Sequence, residues 1–296
     1  MRRGTHIASA VRMVTHARAA VVFAAAAVLL VFQPLGTAQD GLSPCTISSG
    51  PTRLQGIAEA SGLTLSRRAP GLLWSHNDSG APVVFGIDRA GVHSRVRIPT
   101  ATVTDWEDIS AARCPSGDCL YIADIGDNKR SRSSVTIYRV PEPSSTAAET
   151  TAPDIFNARY PDGPHDAEAL FVVDAGLFIV TKDDAGILYR LPQPLTGNDP
   201  ITLQRVGTLG LRRVTDADAS PDGRIVAVRT NEEVVFYRAA DLTNGGTTPR
   251  GTRTSLHRLK EPQGEGVALG RNGEVYLASE GTGRAGTLTS LHCTLG

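Results

Sequence analysis

The chain has 296 residues, with 30 Lys+Arg, 30 Asp+Glu and a formal net charge of zero. Four of the basic residues (Arg2, Arg3, Arg12 and Arg18) and no acidic residue lie before residue 39, so the remainder carries 26 basic and 30 acidic residues, a net of −4. A net-acidic chain without a basic face gives no expectation of a nucleic-acid partner.

The N-terminal basic residues lead into an apolar run at 19–32, followed by Gly36 and Ala38 at the −3 and −1 positions of a cleavage site. This reads as a secretory signal peptide over 1–38, and the expected localisation is secreted or extracytoplasmic. The run has 14 residues, which is short for a bilayer span. Membrane contact is expected only if that segment is retained as an anchor. Residues 39–296 show one composition regime and are expected to form a single monomeric domain.

The four cysteines suit an exported chain. Cys114 and Cys119 flank the turn Pro115-Ser116-Gly117-Asp118 and are expected to pair across a hairpin. Cys45 and Cys293 stand at opposite ends of the mature chain and are expected to tie it closed. The metal alternative is weak, because no CxxC occurs.

Five segments share one grammar: an acidic residue, a short strand, a turn, an apolar strand ending in polar residues, then a third strand. Aligned on Glu59, Glu107, Glu168, Asp216 and Glu265, they repeat at intervals of 48, 61, 48 and 49 residues. Asp218 is the rival equivalent of Asp216, since DADA matches DAEA. The long interval holds the insertion 141–153, PEPSSTAAETTAP, expected to be a low-complexity surface loop. Alternation, β-branched content and Gly-bearing turns argue strands throughout. Repeats of about 40–50 residues with four strands each mark a β-propeller. The predicted fold is all-β, a five-bladed propeller of four-stranded blades. Fourth strands are predicted at 93–99, 155–161, 201–207 and 255–260, and 45–54 supplies the last one, which also brings Cys45 to Cys293. The blades are placed near 55–100, 101–162, 163–211, 212–261 and 262–296 plus 45–54. A six-bladed count is the alternative, with a degenerate blade hidden in the long interval.

In such a ring the start of each first strand and the end of each second strand lie on one face. That face gathers the five acids above with His76, Asn77, Asp78, Asp127, Asn128, Lys182, Asp183, Arg229, Asn231 and Glu280. Converging carboxylates need a cation, basic partners or raised pKa values. Oxygen donors of this kind suit Ca²⁺ rather than zinc. The expected metal set is Glu59, Asn77, Glu107, Asn128, Glu168, Asp216 and Glu265. Ligand contacts are expected from Asp78, Lys182, Asp183, Arg229 and Glu280, with His76 or Asp127 as general base. Against this stands the reading in which such acids cap backbone N–H groups of a neighbouring blade, favoured for Asp105, Asp108 and Asp166. Trp74 and Trp106 are expected in the interblade core. No GxSxG, HExxH or phosphate-binding glycine loop is present.

EASGL (59–63), LLWSHNDSG (72–80), TDWEDIS (104–110), LYIADIGDN (120–128), YPDGPHDAEAL (160–170), VTDADASPDG (214–223) and GEGVAL (264–269) resemble a family of secreted bacterial β-propeller proteins, grouped with phytase-like esterase and WD-repeat-like propellers. More distantly the layout is similar to calcium-dependent lactonase propellers. That resemblance implies Glu59, Asn77, Asn128 and Asp216 as Ca²⁺ ligands, although the lactonases differ in blade number. Two functions are carried forward. One is a mouth that binds a small polar or anionic ligand, with hydrolysis of an ester, lactone or phosphoester. The other is a non-catalytic scaffold for a surface protein or glycan.

Overall fold

The structure is a computed structural model that describes residues 44–183, 185–195, 200–245, 248–281, 283 and 285–295. The signal peptide expected over 1–38 lies outside the described residues. Each repeat folds as an antiparallel sheet, and five sheets form a five-bladed β-propeller. Blade 1 is Ala60–Leu65, Leu73–Asn77, Val83–Asp88 and Gly91–Arg97. Blade 2 is Trp106–Cys114, Gly117–Asp124, Val135–Pro141 and Asp154–Arg159. Blade 3 is Ala167–Val173, Gly176–Thr181, Ile187–Leu191 and Gln204–Thr208. Blade 4 is Val214–Ala219, Ile225–Thr230, Glu233–Arg238 and Thr252–Ser255. Blade 5 is Gln263–Leu269, Glu274–Glu280 and Ala285–Cys293, completed by Cys45–Gln55.

The closing strand pairs antiparallel with Ala285–Cys293 and sets Cys45 opposite Cys293, where the two are disulfide-bonded. Cys114 and Cys119 form the second bridge. Both cystines match the expected pairing and suit an oxidising compartment. Among the described residues no helix is long and apolar enough to cross a membrane.

The first strands of the blades ring the axis, each packed on the next. Five apolar clusters fill the wedges between successive blades. The wedge between blades 1 and 2 holds Trp74 and Trp106 with Tyr138. Burying the two indoles contributes on the order of 3 kcal/mol each.

Three predicted outer features differ. The stretch 201–207 splits: Ile201–Thr202 adds a parallel fifth strand to blade 2, while Gln204–Thr208 closes blade 3. The last strand of blade 4 is Thr252–Ser255, and His257–Leu259 is a 3₁₀ turn. The insertion 141–153 is anchored rather than loose. Glu142 is 1% exposed and accepts hydrogen bonds from Ser66 Oγ (2.5 Å), Trp74 Nε1 (3.0 Å) and Arg67 N (3.2 Å) of blade 1. Further along, Glu149 lies beside Arg97 in a parallel bridge and ion pair. The insertion thus laps blade 2 over the edge of blade 1.

Candidate functional site

Every inner strand carries one extra residue near its start, a bulge that breaks the pairing with the second strand. Bulges turn side chains and N–H groups that a regular ladder would commit to the neighbouring strand. Aligning blades on the bulge makes Ser61, Glu107, Glu168, Thr215 and Glu265 equivalent, and likewise Gly62, Asp108, Ala169, Asp216 and Gly266. The sequence alignment is therefore off by one residue at Asp216 and by two at Glu59, whose place in blade 1 is taken by Ser61. Asp216 matches Asp108, and Thr215 takes the place of the glutamate.

This register builds a plug. The next residue of each inner strand presents its N–H to the axis. Asp108 Oδ2 accepts from Leu170 N (2.5 Å) and Ala217 N (3.4 Å), and Asp108 Oδ1 from its own neighbour Ile109 N (2.5 Å). Asp216 Oδ2 accepts from Leu63 N (3.2 Å) and Val267 N (2.5 Å). Two carboxyl groups thus satisfy one inward N–H from each of the five blades. Both are fully buried, and they hydrogen-bond each other. Asp216 Oδ1 takes no backbone or side-chain N–H, and a proton held between the two carboxyl groups would complete the network. Burial drives both upward, Asp216 to about 7 and Asp108 well above the usual carboxylate range. Glycine is required in blades 1 and 5: a Cβ on Gly62 would stand 2.5 Å from Ile109 N, and one on Gly266 2.7 Å from Ser61 O. One layer further, buried Asp218 accepts from Thr64 Oγ1 (3.2 Å) and Leu269 N (2.8 Å).

Above the plug the side chains face a mouth. Ser61 and Thr215 turn inward to carbonyls, donating to Glu107 O (2.7 Å) and Glu265 O (2.9 Å). Three glutamates remain, Glu107, Glu168 and Glu265, all buried at least nine-tenths. Lys182, from the end of the second strand of blade 3, is ion-paired with Glu168. Its charge also favours ionisation of Asp105, Glu107, Glu265 and Glu280. Burial still dominates: it pushes Glu168 up to about 8 against the pull of Lys182, and Glu107 well above its ordinary value. Asp166 Oδ1 is spent on Asp127 N at 2.8 Å, joining blades 2 and 3.

A second carboxyl pair lies on the blade 1 side. Glu59 Oε2 accepts from Ser79 Oγ (2.6 Å), and Glu59 hydrogen-bonds Asp78. The Ser79 and Asp78 bonds hold Glu59 below its ordinary value. Partial burial, then the Glu59 bond and the charges of Glu59 and Glu280, push Asp78 up to about 7. Glu280 shares Gln263 Nε2 (2.9 Å) with Glu265 (2.7 Å).

The other expected site residues have different work. His76 is wholly buried, its Nδ1 3.0 Å from Asn77 O and its ring edge-on to Trp106 at 5.6 Å. Burial pushes it down to about 4, and it belongs to the wedge between blades 1 and 2. Asp127 closes its own loop, accepting from Ser131 N (3.0 Å) and Arg132 N (2.8 Å). Arg229 is fully buried and brackets blade 5, donating to Gly266 O (2.6 Å), Ala278 O (2.9 Å) and Glu261 Oε2 (2.5 Å). Asp183 faces His165 Nδ1 at 3.4 Å, outside the mouth glutamates, in a cluster with Tyr189 and Asp162 that the sequence did not signal. Asn77 Oδ1 accepts from Glu59 N (3.1 Å), and Asn128 is exposed.

The seven residues expected to hold Ca²⁺ are therefore divided among the axis, the mouth and the rim. Asp216 Oδ2 is committed to two amides, Glu168 is paired with Lys182, and Asn128 faces solvent. Among the described residues no three His, Cys, Asp or Glu side chains form a group that could hold a metal ion. Lys182 is the cation that the structure places among these acids, paired with Glu168.

No family model matches the sequence, and no curated protein matches it. Solved structures share the fold. The PQQ-bound aldose sugar dehydrogenase from Streptomyces coelicolor superposes with a TM-score of 0.50 at 10% identity, covering 84% of this chain and 98% of that one. A putative phosphatase from Bacteroides thetaiotaomicron gives 0.52 at 11% identity over 81% and 73% of the two chains. The major Malassezia sympodialis allergen Mala s 1 gives 0.52 at 11% over 82% and 96%.

Proposed function

We propose that the carboxylate mouth is a small-molecule site and that the chain is a hydrolase of an ester or lactone. The observation that carries this is the Asp78–Glu59 pair, two bonded carboxyl groups whose environments push their pKa values apart. Near neutral pH Glu59 is ionised, while Asp78, raised to about 7, keeps its proton in about half of the molecules. Glu59 takes a proton from a water attacking the carbonyl carbon, and Asp78 gives its own to the departing alkoxide oxygen. Lys182, on the same mouth, stabilises negative charge on the carbonyl oxygen. The excess of carboxylates favours a neutral or cationic ligand, and so disfavours the anionic ligand and the phosphoester carried forward from the sequence. The fold also serves a sugar dehydrogenase and a putative phosphatase among its solved neighbours.

The test is a panel of aryl esters and lactones with the purified chain. Turnover is expected to fall about 10²–10⁴-fold in Asp78→Asn, with loss of the high-pH limb of the rate profile. Turnover that is indifferent to Asp78→Asn, or none on any substrate, overturns the hydrolase. A second reading, a scaffold for a surface protein or glycan, is favoured by the number of carboxylates that only join blades. It expects binding at this face without turnover.

A further inference from the structure

The sequence places plain turns on the face opposite the mouth. The structure puts a cavity of about 420 Å³ there, at the far end of the axis. That volume lies within the range of small-molecule sites. Its wall is assembled from four blades, with Thr64–Gly71 of blade 1, Ala111 of blade 2, Asp218–Pro221 of blade 4 and Leu269–Tyr276 of blade 5 contributing. We propose that this cavity is a second ligand site, independent of the mouth, that takes a small organic anion with an apolar body.

Charge carries the argument. Arg67, Arg68 and Arg271 line the cavity, and the lining acids are Asp218 and Glu274. Glu274 stands 3.7 Å from Arg89, outside the cavity. Asp218 is buried beneath the floor, where desolvation raises its pKa well above the usual carboxylate range and its oxygens are turned to Thr64 Oγ1 and Leu269 N. The chain's net negative charge is screened beyond about 8 Å at physiological ionic strength, and the local guanidinium groups decide.

The arginines are held rather than dangling. Ser66 Oγ accepts from Arg68 N (3.2 Å) and Ala69 N (2.9 Å), fixing the turn, and the buried Glu142 fixes Ser66 in place. Arg67 Nε is 2.9 Å from Asp118 Oδ1, and Arg68 Nη1 donates to Glu142 O at 2.6 Å. Each interaction occupies one N–H of a five-donor fork and leaves the others for a ligand. Arg271 comes from the opposite wall, on a turn in which Asn272 and Gly273 both take positive φ (56° and 82°). Such a fork matches carboxylate and phosphate oxygens in pairs. Leu65, Leu269 and the Tyr276 ring supply apolar wall for the rest of the ligand.

Isothermal titration with benzoate, phenyl phosphate and inorganic phosphate tests this. Saturable binding of benzoate or phenyl phosphate is expected, tighter than that of the bare inorganic ion. Arg68→Gln and Arg271→Gln should each weaken it about tenfold or more; both residues lie on exposed turns, and the melting temperature checks that each variant is folded. Arg224→Gln, an exposed arginine of the same face outside the cavity, should leave it unchanged. If Lys182→Gln abolishes binding while Arg271→Gln does not, the anion sits in the mouth and the proposal fails. Absence of saturable binding by any of the three probes also overturns it. Neither outcome bears on ester hydrolysis at the mouth.

Discussion

Asp108 and Asp216, on inner strands of blades 2 and 4, hydrogen-bond each other at the centre of the ring and divide the inward backbone amides of all five blades between them. An asparagine at 216 retains a carbonyl for Leu63 N and Val267 N and offers Asp108 an N–H in place of the shared proton. Asp216→Asn is therefore expected to cost little, under about 2 kcal/mol near pH 7, whereas Asp216→Ala strands two buried N–H groups and costs about 3–5 kcal/mol. Urea unfolding of the two variants measures the difference. Equal losses would show that the oxygens of residue 216 do not hold the ring.

The same protons make stability depend on pH. A carboxyl group whose folded pKa is raised binds more protons folded than unfolded. Its contribution is complete below the unfolded value near 4 and is lost as pH rises through the folded value. Asp216 at about 7 and Glu168 at about 8 place that loss near neutrality, and Glu107, Asp108 and Asp218, all raised well above the usual carboxylate range, add to it in the same sense. His76, lowered to about 4, acts in the opposite sense, gaining stability up to about pH 6.5 and nothing beyond. The clean window is thus from about pH 6.5 to 8.5, where the melting temperature is expected to fall by several degrees. Asp216→Asn should flatten part of that slope. A melting temperature that rises through this window would mean the buried acids are ionised in the fold.

The ring itself was legible because its signals are local. Alternating apolar residues and Gly-bearing turns mark each blade, and the incomplete last repeat together with Cys45 and Cys293 announces how the circle closes. The centre was legible only in part. A single bulge residue separates Thr215 from Asp216, and sequence spacing counted from a turn does not resolve one residue. Spacing alone therefore places at the mouth an aspartate that lies on the axis. His76 failed for a related reason: the end of the second strand does reach the mouth, but strand alternation sends this ring into the wedge against Trp106. Arg229 carries a formal charge that suggests a surface, while its real partners are two carbonyls of blade 5 about forty and fifty residues away.

Glu142 shows the same limit in a segment whose sequence predicts a low-complexity surface loop. Its carboxylate meets Ser66, Arg67 and Trp74 of the preceding blade, none of which its sequence neighbourhood suggests. Glu142→Ala would leave the Trp74 indole N–H and the Arg67 amide without acceptors in a buried seam. A loss of about 2–4 kcal/mol is expected in urea unfolding. Glu149→Ala removes an ion pair with Arg97 that is more than half exposed and should cost under about 1 kcal/mol. If the two variants lose equally, the insertion is held by its outer edge rather than by Glu142.

Lys182 decides whether the mouth needs a metal. Its ammonium pairs with Glu168 and bears on Glu107, Asp105, Glu265 and Glu280, while burial keeps protons on the deepest of these acids. If these groups alone neutralise the mouth, the melting temperature of the native chain is expected to be the same in EDTA and in millimolar Ca²⁺. Lys182→Gln removes the ammonium and leaves Glu107, Glu168 and Glu265 facing one another across the mouth. Two outcomes follow for that variant. Without added metal, the three glutamates take up protons more readily, so the loss of stability with pH steepens above neutrality. With Ca²⁺, oxygen ligands freed from Lys182 gain a partner of the right hardness, and the melting temperature should rise with metal concentration by mass action. A native chain stabilised by Ca²⁺ and destabilised by EDTA would instead show that a cation, not Lys182, balances the mouth.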